Sequence, residues 1–103
     1  EAVFELNGAS VRHSDGYPGW QPNPESKVVK KSVEVYQHLF TQAPVVRSIH
    51  AGLECGLFLA KYPNLDMVSF GPTIKGAHSP DERLNIKTVD KFWEFLKALL
   101  KEL

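Results

Sequence analysis

His78 is the side chain best suited to holding a metal ion. It lies in "FGPTIKGAHSPDERLN", Phe70 to Asn85, just before Ser79-Pro80-Asp81-Glu82. That tetrapeptide has the pattern of a capping box: Ser79 as N-cap, Pro80 at the first helical position, Asp81 and Glu82 in the first turn. A capped turn fixes the backbone beside His78 and aims its imidazole, and a zinc site needs a neutral imidazole held in this way. The same pattern also serves as a purely structural helix start, with His78 merely preceding it. A zinc ion takes three or four protein ligands, and the sequence contains no HExxH, CxxC or HxH spacing to supply them. Local sequence leaves both readings open.

A second chemical stretch is "IHAGLECG", Ile49 to Gly56. It reads as the end of a strand, a turn with room made by Gly52, and the start of a helix. In open α/β sheets ligands collect at such places. The backbone N–H groups of Leu53, Glu54 and Cys55 would make a seat for a carboxylate or phosphate, although a plain strand–helix turn looks the same. Glu54 complements the helix dipole, and its charge should face away from an incoming anion. Cys55 reads as a small buried hydrophobe rather than a nucleophile, because no partner base is evident. A pair with His50 would require the strand end and the turn to face each other. His13 and His38 read as surface or packing residues. Trp20, Phe92, Trp93 and Phe95 read as core or interface.

These groups need elements to position them. Ala2 to Leu6, ending at Asn7-Gly8, is either one arm of a hairpin or a helix end with a left-handed glycine; Ala9 to His13 reads as a strand. "DGYPGWQPNPES", Asp15 to Ser26, is a rigid connector in which prolines and glycines suppress regular structure. Asn23 followed by Pro24 predicts a helix over Glu25 to Gln42, with Val29, Val33, Tyr36 and Phe40 on one face, stopped by Ala43-Pro44. Val45 to Ile49 reads as a strand, Leu53 to Lys61 as a short helix, Asn64 to Asp66 as a turn and Met67 to Phe70 as a second strand. A long loop then carries His78. The last helix, Thr88 to Leu103, has Val89, Phe92, Trp93, Leu96, Leu99, Leu100 and Leu103 on one stripe.

The expected fold class is therefore α/β, in the order helix, strand, helix, strand, loop, helix. Its two strands should lie parallel, joined by a right-handed crossover. Two short strands make an incomplete sheet, which points to part of something larger. The first residue, Glu1, fits a chain that begins inside a longer protein, and equally fits a processed terminus.

Composition narrows the function classes. Twelve basic residues balance twelve acidic ones among 103, so there is no basic footprint for nucleic acid. No apolar run approaches the roughly 18 residues of a membrane span, and nothing resembles a signal peptide. With a single cysteine, Cys55, there is no internal disulfide, and a reducing compartment is favoured.

Three segments taken together are more specific than any one. "GYPGWQPNPES", "IHAGLECGLF" and "DMVSFGPTIKGAHSPDERLNI", followed by the amphipathic terminal helix, resemble the C-terminal part of aminoacyl-histidine (Xaa-His) dipeptidases. These belong to the di-zinc metallopeptidase family that includes carnosinases and aminoacylases. The resemblance runs from Tyr17 to Leu103. It implies the C-terminal part of a three-layer α/β/α catalytic domain over residues 16–103, with residues 1–15 as the end of an inserted lid domain that often mediates dimerisation. His78 matches the last metal ligand of the family; the other ligands and the general-base glutamate would lie in an earlier stretch of polypeptide. Gly52, Leu53 and Glu54 match the turn that grips the substrate's free carboxylate. Some relatives use a serine side chain there, so with Leu53 the grip would come from backbone N–H groups. Ser79 and Glu82 would support His78, with Glu82 equally readable as a cap.

The implied chemistry is hydrolysis of Xaa-His and other dipeptides. Two zinc or other divalent ions would activate a bridging water, and a glutamate would move its proton. The resemblance further implies a cytoplasmic enzyme, completed by the remainder of its own polypeptide and assembled as a homo-oligomer, with no nucleic acid and no membrane as partner. An exposed sheet edge on the isolated segment would itself invite association. The segment alone would be inactive. The competing readings are a non-enzymatic α/β binding or assembly module built around the anion-binding turn, and a relative that keeps the fold but has lost its metal.

Overall fold

A computed structural model describes residues 6–10, 12, 19–48 and 54–103. Among them the elements are α1 (Lys27–Phe40), α2 (Glu54–Lys61), β1 (Ile74–Lys75), β2 (Arg83–Leu84) and α3 (Lys87–Glu102). Helices together with a small antiparallel ribbon make this an α/β segment.

The start of α1 differs from the sequence expectation. Asn23 does not cap the helix. Its Oδ1 accepts from the Glu25 amide at 3.0 Å and its carbonyl accepts from the Ser26 amide at 3.1 Å. Asparagine readily bonds backbone two residues on, and proline favours the second position of a turn, so Asn23-Pro24-Glu25-Ser26 closes as a turn before the helix begins. Ser26 is the cap; its hydroxyl oxygen accepts from the Val29 amide at 3.1 Å.

A carboxylate from 40 residues away completes that end. The Ser26 hydroxyl donates to Asp66 Oδ1 at 2.5 Å, and the Val28 amide donates to Asp66 Oδ2 at 2.9 Å. Hydrogen bonding to its ionised form, from Ser26 first and the Val28 amide second, holds the Asp66 carboxyl below its ordinary value. At its other end α1 stops at Phe40, where Thr41 turns left-handed with φ 51° and donates its amide to the Gln37 carbonyl at 2.9 Å.

The core lies between α1 and α3. Val35, Phe95 and Leu99 are its buried apolar residues, with Tyr36, Phe40 and Ala98 packed on them. Tyr36 meets Phe40 and Phe95 edge-on, with ring centroids 4.8 and 5.5 Å apart. Phe70 meets Phe95 at 4.8 Å and Phe92 at 5.7 Å, joining the segment before β1 to the same cluster. Lys91 lays its ammonium over the rings of Phe40 and Tyr36, at 4.6 and 5.0 Å.

Both helical faces are rotated from the expected ones. On α1 the buried positions are Ser32 and Val35, while Val29, Val33, Tyr36 and Phe40 are half-buried. On α3 the contact centres on Phe95 and Leu99, and Trp93, Leu100 and Leu103 stay 54, 64 and 67% exposed. The helices touch along one edge of each apolar stripe. Much of the remainder stays half-buried or exposed.

The expected strands form no ladder among the described residues. Residues 45–48 and 67–70 run without strand pairing, and Ile49 lies outside the described residues. The parallel pair with its crossover is therefore absent here. A β-branched segment becomes a strand only when a neighbouring strand takes its backbone groups, and none among the described residues pairs with these two. The ladder that does form pairs β1 with β2 antiparallel, Ile74 with Leu84 and Lys75 with Arg83; it lies inside the expected loop. Gly8 has φ +76°, the left-handed geometry required by the helix-end reading of Asn7-Gly8. The strand expected over Ala9 to His13 falls partly outside the described residues.

Two outcomes follow. Leu99, only 2% exposed, should cost about 2–3 kcal/mol on truncation to alanine, measured by chemical denaturation; the open surroundings can relax into the space and keep the loss at the lower end for a core leucine. Asp66→Asn should lower the denaturation midpoint at neutral pH. A carboxyl whose folded-state pKa is depressed contributes its stability above the unfolded value of about 3.9 and loses it as pH falls through the folded value. The gap between Asp66→Asn and the parent should therefore close below pH ~4; a gap constant from neutral to strongly acidic pH would contradict the charge-assisted cap.

Candidate functional site

His78 stands at the tip of the β1–β2 hairpin. The turn it occupies is built by Gly76 and Ser79. Gly76 has φ +65° and His78 φ +62°, and the Ser79 amide donates to the Gly76 carbonyl at 3.2 Å. A positive φ at the third position is the pattern of a type II turn. A second turn follows at once, with the Glu82 amide donating to the Ser79 carbonyl at 3.1 Å. Ser79 serves both: its hydroxyl donates to the Gly76 carbonyl at 2.6 Å and accepts from the Asp81 amide at 3.3 Å.

The capping-box expectation is thus corrected. Ser79 begins no helix; residues 79–82 form a turn that returns the chain to β2. Pro80 sits where a turn favours proline. The chain must reverse within the hairpin, and that requirement overrides the local helix signal. Serine's ability to bond nearby backbone serves the turn as well as it would a cap.

Left-handed geometry in a residue with a Cβ costs roughly 1–2 kcal/mol. Histidine tolerates it better than most, but the conformation at His78 still needs the surrounding turns to hold it. The His78 side chain is exposed and makes no hydrogen bond, ion pair or ring contact among the described residues. Its ring is therefore free to receive a ligand.

The base of the hairpin is fastened to α3. The Asn85 amide donates to the Thr73 carbonyl, and the Thr73 amide donates to Thr88 Oγ1, both at 2.9 Å. The Thr88 hydroxyl in turn donates to the Asn85 carbonyl at 2.7 Å. Asn85 Oδ1 accepts from the Lys87 amide at 3.2 Å, where Ile86 has no side-chain cap to offer.

The second predicted site is only partly in view. Glu54 is the first residue of α2 and is exposed. Gly52, Leu53 and His50 lie outside the described residues, as does His13. Cys55 is a half-buried free thiol, and Gly56 is the buried position of α2. His38 is exposed in the last turn of α1.

Among the described residues no three His, Cys, Asp or Glu side chains gather closely enough to hold a metal ion. Among the described residues the hairpin tip presents an accessible imidazole, His78, on a fixed turn. That fits one corner of a site whose other ligands come from elsewhere. An open trough of about 1770 Å³ lined by residues such as Val33, Tyr36, Val46, Met67 and Phe70 does not include His78; it is packing surface. Sequence reading missed the left-handed geometry of His78, the Thr88 fastening and the Asp66 cap. Glycine two residues before His78 was the one visible signal for the first.

Comparison with known proteins matches residues 6–102 to the pattern of "Peptidase family M20/M25/M40". The chain is 50% identical over all 103 residues to the cytosol non-specific dipeptidase of Escherichia coli (strain K12), and it covers 21% of that protein. It is 49% identical to the aminoacylhistidine dipeptidase of Vibrio alginolyticus, whose crystal structure superposes with a TM-score of 0.79 over 99% of this chain and 21% of that one. The chain thus spans about a fifth of the length of these relatives.

The doubled turn makes its own prediction. Ser79→Ala removes the hydroxyl that joins the two turns, so hydrogen exchange at the Asp81 amide should quicken several-fold while exchange within α1 is unchanged. Equal rates at Asp81 in parent and variant would show that the hydroxyl does not hold the tip.

Proposed function

We propose, because this chain belongs to peptidase family M20/M25/M40, that it forms the C-terminal part of the catalytic domain of a metal-dependent dipeptidase. Residues 16–103 would belong to that domain and residues 1–15 to the end of a lid. The observation carrying this reading is His78, exposed, unpartnered and held left-handed at the hairpin tip. Strained backbone at an accessible imidazole is typical of a residue placed for a task.

His78 would be one ligand of a metal site whose carboxylates come from polypeptide outside this chain. Two zinc ions, or other divalent ions, would supply the activated water and the polarisation of the scissile carbonyl. Ser79 would keep His78 in register through its bonds to Gly76 and Asp81, and Glu82 would close the second turn through its amide. Backbone N–H groups of Gly52, Leu53 and Glu54 would bind the free carboxylate of the substrate, which fixes register and excludes longer peptides. Dipeptides, including Xaa-His, are favoured as substrates because both relatives are named as dipeptidases.

A larger three-layer α/β/α domain is supported by what this chain leaves uncovered. The radius of gyration is 18.2 Å, against about 13 Å for a compact domain of 100 residues. Segments 45–48 and 67–70 line the apolar trough without strand partners. Further strands of the same protein would pair with them and fill it. A cytoplasmic location accords with the name of the Escherichia coli relative, and no helix among the described residues is long and apolar enough to cross a membrane. A homo-oligomer is part of the same proposal.

Replacement of His78 by alanine in the intact protein is the test. Metal retention and dipeptide hydrolysis should both fall by at least roughly 100-fold, since even partners of ligands cost 10–100-fold when removed. Unchanged metal content with unchanged turnover would reject the ligand role and leave an assembly segment.

A further inference from the structure

Among the described residues the His78 ring has no contact of its own to aim it, so its direction is set there by backbone. The hairpin beneath it is too short to supply that order. β1 and β2 hold two residues each, and an isolated two-stranded hairpin is marginal in water. Rigidity must enter from the turn above the strands and from the fastening below them.

At the turn the limiting residue is Gly76. Any Cβ there would lie 3.0 Å from the Asp81 carbonyl oxygen and 3.2 Å from Ser79 Oγ, and its φ of +65° disfavours side chains regardless of space. Below the strands the limiting group is the Thr88 hydroxyl. It accepts from the Thr73 amide just before β1 and donates to the Asn85 carbonyl just after β2. One hydroxyl on the first turn of α3 thus ties both strand ends to a helix whose Phe92 and Phe95 already grip Phe70.

We infer that Gly76 and Thr88 are positioning residues for the metal ligand His78, one shaping the tip and the other anchoring the base. The inference rests on the reading of His78 as a ligand. Neither residue touches the metal. Each acts by narrowing the directions available to the imidazole, so loss of either raises the entropy that metal binding must remove.

The test uses the intact protein, stripped of metal and reloaded with cobalt(II), with affinity read by chelator competition and ligand geometry by the visible spectrum. Gly76→Ala and Thr88→Val should each weaken metal retention by about 10–100-fold and alter the cobalt spectrum, with the unfolding midpoint of the metal-free protein little changed. Thr88→Ser keeps the hydroxyl and should restore the parent affinity and spectrum. Should Thr88→Val fail to fold, Gly76→Ala, in an exposed turn, carries the decision. If the folded variants retain metal within about twofold of the parent with an unaltered spectrum, while His78→Ala loses it, the positioning role is overturned and the ligand reading stands. If His78→Ala itself keeps its metal and spectrum, the ligand reading falls and the positioning role falls with it.

Discussion

Phe95 presents its ring edge-on to Tyr36 of α1 on one side and to Phe70 of the hairpin approach on the other. With Leu99 and Val35 it forms the small buried centre of the chain. The longer-range order of the described residues passes through this contact. α1 is held by it, and Asp66 then reaches back to close the N-terminus of α1. The hairpin is held by it through Phe70, and the Thr88 hydroxyl then fixes the hairpin base. Among the described residues His78 takes its place from that series of contacts.

The same contact explains why so much apolar surface remains in view. A helix pair can bury only the strip along which it touches. Much of each stripe, Val29 and Val33 on α1 and Trp93, Leu100 and Leu103 on α3, stays half-buried or exposed. In a layered α/β domain such faces are covered by a sheet or a further helix. Family membership accounts for the mismatch, since the chain spans about a fifth (21%) of its relatives. The trough beside α1 is thus read as packing surface, and the proposed metal ligand lies apart from it, at the hairpin tip.

Only part of the candidate site was legible from residue types. The imidazole beside a Ser-Pro-Asp-Glu run left a structural and a metal-binding reading open, and it was the resemblance of three segments to a known family that put His78 forward as a candidate ligand. The left-handed conformation of His78 was not legible. Ser79-Pro80-Asp81-Glu82 is compatible with a helix start and with a tight turn, because serine and proline favour both; pairing of Ile74 with Leu84 decides between them by forcing the chain to reverse. Asp66 was similarly hidden. Nothing local marks it as the partner of Ser26, and only the packing of residues 40 positions apart brings its carboxylate to the end of α1.

The sequence by itself determined the three main helices to within a few residues and the apolar character of α1 and α3; it put His78 forward only as a candidate. Helix periodicity and capping are local, so short stretches of chain carry that information. Tertiary structure alone decided which edge of each apolar stripe is buried, whether 45–48 and 67–70 pair as strands, and the left-handed turn that presents His78. These depend on which surface lies opposite, and a strand in particular has no identity without a neighbour to accept its backbone hydrogen bonds.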